Sequence, residues 1–440
     1  MYSSRPVPLL TALTSLLLAS SAGVAAADQS LQAITTVSTG YTDNVQLVPE
    51  EGDPETTPQV SKDAFANIAP GMIFAHQAPR IAQVLRYTIN VRLYAEASSA
   101  NSYSNALQYN AIIPLSPLSE LSLDASASHG RLNAFDTAPA ETTIDTRARG
   151  DVAYARAAAG AAVSRTLTRS WRVVESAGAA VFQPTDDTTE VRTRWTLDDT
   201  LALSKSFNFD ALTANGRITY SSLDRGEGMP NEETIMLGPE LRWVHDLSQD
   251  FSTDASVGAT ITYPLGEFEN RLVLPVGSAY LRYSHNRYSA AAGYRRMVAT
   301  NLLVGETEAT HIGEVRGTVP IPKRDDLSVS GAVGYANGRS VDTEAGQLVG
   351  HTVRWIGDVS TTWKATDEVN LALRYSLVFQ DREQPLEEIM EEHTRRNMVM
   401  VVLEGRYPSR QAVELEQRND GRADGGEEEV EAKRESGQVR

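Results

Sequence analysis

Chemistry in this sequence would have to start from its seven histidines, His76, His129, His245, His285, His311, His351 and His393. They fall mostly in turns or near segment ends, and none shows the spacing that puts two imidazoles on one helical turn around a metal. The stretch "SASHG" sets Ser128 beside His129. A nucleophile must face its base, whereas neighbours on an extended chain point apart, and no third, orienting group is identifiable. The acidic stretches "PEEGDPE" and "EEIMEEH" carry oxygen ligands but lack the spacing of a calcium loop, so they read as solvated loops. "GYANGRS" has no strand-to-helix context and is no phosphate loop. The expectation is a chain with no catalytic residue, no cofactor and no metal, hence not an enzyme.

What recurs instead is arginine in alternating stretches. In "LRYTINVRLYAE", Leu85, Tyr87, Ile89, Val91, Leu93 and Ala95 share one face of a strand, and Arg86, Thr88, Asn90, Arg92, Tyr94 and Glu96 the other. A soluble sandwich would bury the apolar face; a membrane barrel would turn it to lipid and the charges to a water-filled lumen. Carrying that parity along the chain gives lumen candidates Arg86, Arg92, Arg192, Arg194, Arg217, Arg242, Arg282, Arg295, Arg316, Arg354, Arg374 and Arg396. With them go Glu96, Asp198, Glu240, Glu314, Asp358 and Glu404. The lipid set would hold Trp195, Leu197, Leu201, Leu203, Leu241, Trp243, Val353, Trp355, Trp363, Val399, Val401, Leu403 and Tyr407, with charge absent from it. The alanine-rich "YARAAAGAAVSRTL" and the pair Asp198 and Asp199 fix no register.

About 18 segments of two-residue periodicity run from Leu31 to Tyr407, each long enough to cross a bilayer as a tilted strand; 16 strands would be the next even count. The connections separate the two readings. Those after even-numbered segments are tight, such as "HQAPR" and "SHNR"; those after odd-numbered segments are mostly long and acidic, such as "LNAFDTAPAETTIDTRARG". A soluble sandwich has no reason to sort loops by parity, and an outer-membrane barrel requires it. The expected fold is an all-β, transmembrane, antiparallel up-and-down barrel spanning 28–408.

The ends fit that placement. Residues 1–27 carry Arg5, an apolar run from Leu9 to Leu18 and a closing Ala25, Ala26 and Ala27, the three parts of a secretory signal peptide. Residues 409–440 are polar and charge-mixed, and read as a disordered acidic periplasmic tail. There is no cysteine, which excludes disulfides and a lipid-modified N-terminal cysteine. The formal charge of −17, from 40 basic and 57 acidic residues, argues against nucleic acid as a partner. The location implied is the cell outer membrane, with its lipid as a partner, and the function a channel.

With its signal, its strand texture ("STGYTDNV" opening the first strand), no cysteine and a soluble tail, the chain resembles the outer-membrane barrels of myxobacterial Wzx/Wzy-type capsule and exopolysaccharide export. The resemblance implies a conduit for polysaccharide that works with a periplasmic polysaccharide-export protein and has no catalytic residues. Tyr407 then matches the terminal aromatic read by the insertion machinery. The alternatives are a general porin for small-solute diffusion and a structural or hydrolytic barrel with a blocked lumen.

Overall fold

The computed structural model describes residues 28–45, 62–132, 152–185, 193–224, 231–265, 271–300, 307–342, 347–383 and 391–407. The proposed signal peptide, the tail, Arg192 and "PEEGDPE" lie outside them, as does most of "EEIMEEH". Eighteen strands follow one another: β1 (Asp28–Thr42), β2 (Asp63–Ala78), β3 (Ile81–Tyr94), β4 (Ser102–Ser116), β5 (Ser119–Leu132), β6 (Val152–Thr168), β7 (Trp171–Pro184), β8 (Arg194–Ser206) and β9 (Asp210–Leu223). The second half holds β10 (Glu232–Asp246), β11 (Phe251–Pro264), β12 (Leu272–His285), β13 (Tyr288–Thr300), β14 (Thr307–Ile321), β15 (Arg324–Asp342), β16 (Gln347–Lys364), β17 (Val369–Glu383) and β18 (Glu391–Tyr407). Every strand pairs antiparallel with its sequence neighbours, and β1 pairs with β18 from Ala33 opposite Tyr407 to Thr42 opposite Met398. The sheet is therefore closed and leaves no edge to satisfy.

Strands about 4.8 Å apart and tilted by about 40° close, at this number, into a cylinder of roughly 18 Å backbone radius. That is wider than side chains fill. Which face looks out is settled by exposure. Leu31, Val257, Leu201 and Leu373 are among the many large apolar side chains left more than half exposed, and all sit on one parity of their strands. An apolar ring of this size is stable only against acyl chains, so the chain is an outer-membrane β-barrel.

The belt has legible edges. On β16, Trp355 and Trp363 face outward eight residues apart, about 20 Å along the barrel axis at the usual rise and tilt. At the short-turn end the indole N–H of Trp363 donates to Asp326 at 2.7 Å, and that of Trp243 donates to Asp210 at 2.8 Å. Each ring thus keeps its body in lipid and its polar atom at the water boundary.

Connections after even strands take two to four residues, and those after odd strands six to twenty, save the four at 343–346. The stretch "NGRSVDTEAGQLVG", expected as a loop, is mostly strand. Pairing continues from Asn337 to Asp342 on β15 across a register shift, opposite Gly350 at φ 65°. "GYANGRS" consequently lies inside β15. Long loops face the cell surface in such barrels, which puts both ends of the described chain on the periplasmic side.

Candidate functional site

The lumen wall is the candidate site, and each arginine arrives there by strand parity. Register pairs tie Arg86 to Ile73, Arg217 to Gly238, Arg295 to Ser278 and Ile312, Arg316 to Ala291, and Arg354 to Gln380. Their outward neighbours are the lipid-facing apolar residues, so they point inward. Of the residues expected there, Arg86, Arg92, Arg194, Arg217, Arg242, Arg282, Arg295, Arg316, Arg354, Arg374, Arg396, Asp198, Glu240, Glu314, Asp358 and Glu404 all take the inward parity. Glu96 does not belong with them: β3 ends at Tyr94, and Glu96 lies in the connection that follows.

Neighbouring strands then set opposite charges side by side. Asp254 of β11 accepts from Arg242 of β10 at 2.8 Å (Nε to Oδ1) and 2.5 Å (Nη2 to Oδ2), and Arg282 of β12 reaches it at 3.5 Å. Arg217 and Thr219 of β9 both donate to Asp198 of β8 at 2.6 Å. Arg374 of β17 meets Asp358 of β16 at 2.5 Å. Asp254 escaped the sequence reading although "FSTDASVGATITY" alternates cleanly: Phe251, Ala255 and Val257 face out, and Ser252, Asp254 and Ser256 face in. Hydroxyl pairs continue the polar wall, Ser204 with Thr213, Ser256 with Ser278 and Thr318 with Ser330, each at 2.8 to 2.9 Å.

Exposure varies along the wall. The arginine side chains of the ladder stay accessible, from 27% for Arg242 to 57% for Arg217. Toward the long-loop end, inward side chains are buried around most of the circumference: Phe65, Tyr94, Tyr154, Phe182, Arg194, Ser221, Thr262, Leu274, Thr310, Arg354 and Gln380. Arg194, 3% exposed, donates to Ser221 at 2.8 and 3.1 Å. Inward side chains are covered near the short-turn end of β1 to β3 as well, where Gln32, Ile73, Ala75 and Val84 are buried.

One corner of the mouth is built in detail. Val45, Phe65, Tyr94 and Ala100 form a buried cluster against Met398 and Met400. Asp63 accepts from the backbone N–H groups of Glu96 and Ala97 at 2.9 and 2.7 Å, which folds the short turn Ser98–Ala100 inward. Arg92 lies over the Phe65 ring at 5.5 Å.

The catalytic candidates separate as the alternation requires. Ser128 pairs with Ala106 and Arg156 on the inward parity, whereas His129 points out and packs near the Tyr103 ring at 6.4 Å. Among the described residues no group of three or more His, Cys, Asp or Glu could hold a metal. The lipid-facing set is corrected on one point, because it does carry charge. Asp199 pairs with Ala177 and Ile218 on the outward parity of β8, Glu175 pairs with Leu201, and Arg165 pairs with Val173. All three are exposed. Adjacent aspartates on a strand must face opposite ways, so placing Asp198 in the lumen forces Asp199 out.

No protein-family model matches the chain, and no curated protein matches it. Among solved structures it is similar to OccAB3 from Acinetobacter baumannii, at 11% identity and a TM-score of 0.45 over 86% of this chain and 99% of that one. OccK2 (OpdF) from Pseudomonas aeruginosa gives 10% identity and 0.47 over 86% and 98%, and the siderophore receptor PirA from Pseudomonas aeruginosa gives 10% and 0.44 over 86% and 80%. At these identities and scores, nothing about solutes passes from those proteins to this chain.

Proposed function

We propose that the barrel is a passive channel of the porin kind, letting small polar solutes cross the outer membrane with a mild preference for anions and polyhydroxyl compounds. The observation that carries this is the ladder of water-accessible arginines, Arg242 and Arg282 on the buried Asp254, continued by Arg217 with Asp198 and Arg374 with Asp358. Charges paired across strands hold a solute weakly and release it readily, which is what conduction needs. Acids alternate with the arginines, so the field is mixed and selectivity is low. No covalent chemistry is assigned to the wall, because Ser128 and His129 face opposite sides of it.

Reconstitution into planar bilayers under a salt gradient tests this. Stepwise conductance with a small reversal potential of anion-selective sign is expected, and replacing Arg242, Arg282 and Arg374 together by alanine should move that potential toward cations. A silent barrel, or a reversal potential unmoved by the triple variant, would overturn it. A second reading, a polysaccharide conduit working with a periplasmic export protein, is favoured by the hydroxyl pairs along the lumen, which suit sugar rings. It predicts that a deletion strain loses one surface polysaccharide while its uptake of small solutes stays normal; the channel reading predicts the reverse.

A further inference from the structure

The outer wall carries a polar patch that neither the belt nor the lumen uses. On β13 to β16 the outward row Tyr294, Gly313, Tyr335 and Trp355 forms the upper aromatic edge of the belt, with the Tyr335 and Trp355 rings 4.7 Å apart. One step closer to the cell surface the row reads Arg296, His311 and Asn337, and beyond it stands Arg339. The tyrosine hydroxyls reach up into this row, Tyr294 to His311 Nδ1 at 2.5 Å and Tyr335 accepting from Asn337 at 3.4 Å. Arg339 falls in the register shift between β15 and β16, which leaves it without a cross-strand residue on β16. Among the described residues neither Arg296 nor Arg339 has an ion-pair partner. Asp381, an outward acid farther along that row on β17, is engaged by His393 at 2.6 Å.

Two arginines held at headgroup depth without a carboxylate are an anion site awaiting its anion. Beneath them Gly313 leaves a gap between Tyr294 and Tyr335, and nothing stands within 4 Å of where a side chain on Gly313 would begin. Below that row Ala290, Ala292, Gly317 and Gly331 face outward with Val315 and Val333 among them. A low apolar strip entered through a gap under two arginines accommodates acyl chains below a phosphate.

We propose that strands β13 to β15 bind a phosphorylated glycolipid of the outer leaflet. Arg296 and Arg339 take its phosphate, His311 and Asn337 its sugar hydroxyls, and the gap at Gly313 with the apolar strip below it takes its chains. The proposal depends on outer-membrane placement alone and stands whether or not the lumen conducts.

The test uses the full chain in maltoside micelles with diphosphoryl lipid A as the probe, read by native mass spectrometry and by titration. Lipid A should remain bound through gel filtration. The double variant R296A/R339A should weaken its binding by about tenfold or more, while R374A, inside the lumen, should leave it unchanged. Heat-modifiable migration on gels reports that each variant is folded, and R296K, which keeps charge without the fork, should give an intermediate affinity. Undiminished binding in the folded double variant would overturn the proposal. So would full competition by inorganic phosphate, which would mark a free-anion site, or binding of a phosphate-free glycolipid equal to that of lipid A. A dimer of this chain formed through the patch would overturn it as well.

Discussion

Asp199 stands on the lipid face near the middle of β8, flanked outward by Leu197 and Leu201 and paired with Ala177 and Ile218. An arginine or lysine at mid-depth on that face costs about 2 to 4 kcal/mol and an acid somewhat less, so Asp199→Leu should stabilise the barrel by about 1 to 2 kcal/mol. The midpoint of urea unfolding in phospholipid vesicles measures this, and a loss of stability would mean that Asp199 meets a partner rather than lipid. Asp254 makes the opposite case. It is buried between two arginines, so Asp254→Ala would remove the carboxylate that Arg242 and Arg282 share. The expected cost is about 1 to 3 kcal/mol, with a reversal potential displaced toward anions. At this scale the sequence was readable wherever alternation was clean, as for Arg374 and Asp358. It was unreadable at Asp198 and Asp199, where two like residues in succession give no phase. The alanine run of β6 hid Arg156 for the same reason: alanine is tolerated on either face, so this lumen arginine could not be assigned.

The seam between β1 and β18 decides whether the sheet closes, and a glycine sits at its surface end. A side chain on Gly40 would run into the Val399 carbonyl and the Phe65 ring at once. Backbone pinning supports the same corner: Asn397 donates its N–H to Asp43 at 2.6 Å, and Asn44 donates to the Arg395 carbonyl at 3.0 Å. Gly40→Val should therefore lower the yield of folded, heat-modifiable barrel, whereas Val37→Ile on the lipid face of the same strand should not. Asp63 anchors the neighbouring connection by two backbone hydrogen bonds. Asp63→Ala should release the turn Ser98–Ala100 from the mouth and appear in bilayers as higher conductance with more open-state noise; an unchanged conductance would mean that this turn does not narrow the passage. Strand existence and the parity of loop lengths were legible, because period two and glycine, proline and acid clusters are local signals. The extension of β15 and β16 past Asn337 was not. "NGRS" reads as a turn by composition, and pairing with β14 on one side and, through the bulge at Gly350, with β16 on the other holds it extended.

For the molecule as a whole, closure is readable in the sequence, since an even strand number with short turns on one rim and longer loops on the other leaves a barrel as the only arrangement without a free edge. The burial of inward side chains such as Arg194 and Arg354 near the long-loop rim is not, because it depends on which side chains become covered once the rim is assembled, and no local pattern encodes that. Orientation in the membrane follows from the rims and can be checked cleanly because the native chain has no cysteine. Asn231, at the foot of the connection between β9 and β10, and Gln249, in the short turn between β10 and β11, are both exposed and lie at opposite ends of β10. In intact cells a membrane-impermeant maleimide should label Asn231→Cys and spare Gln249→Cys, and permeabilising the outer membrane should make the two equally reactive. Labelling of Gln249→Cys alone would turn the barrel upside down. It would place the buried arginines Arg194 and Arg354 at the periplasmic rim and set Arg296 and Arg339 against the inner leaflet, so this single experiment also bears on the lipid site.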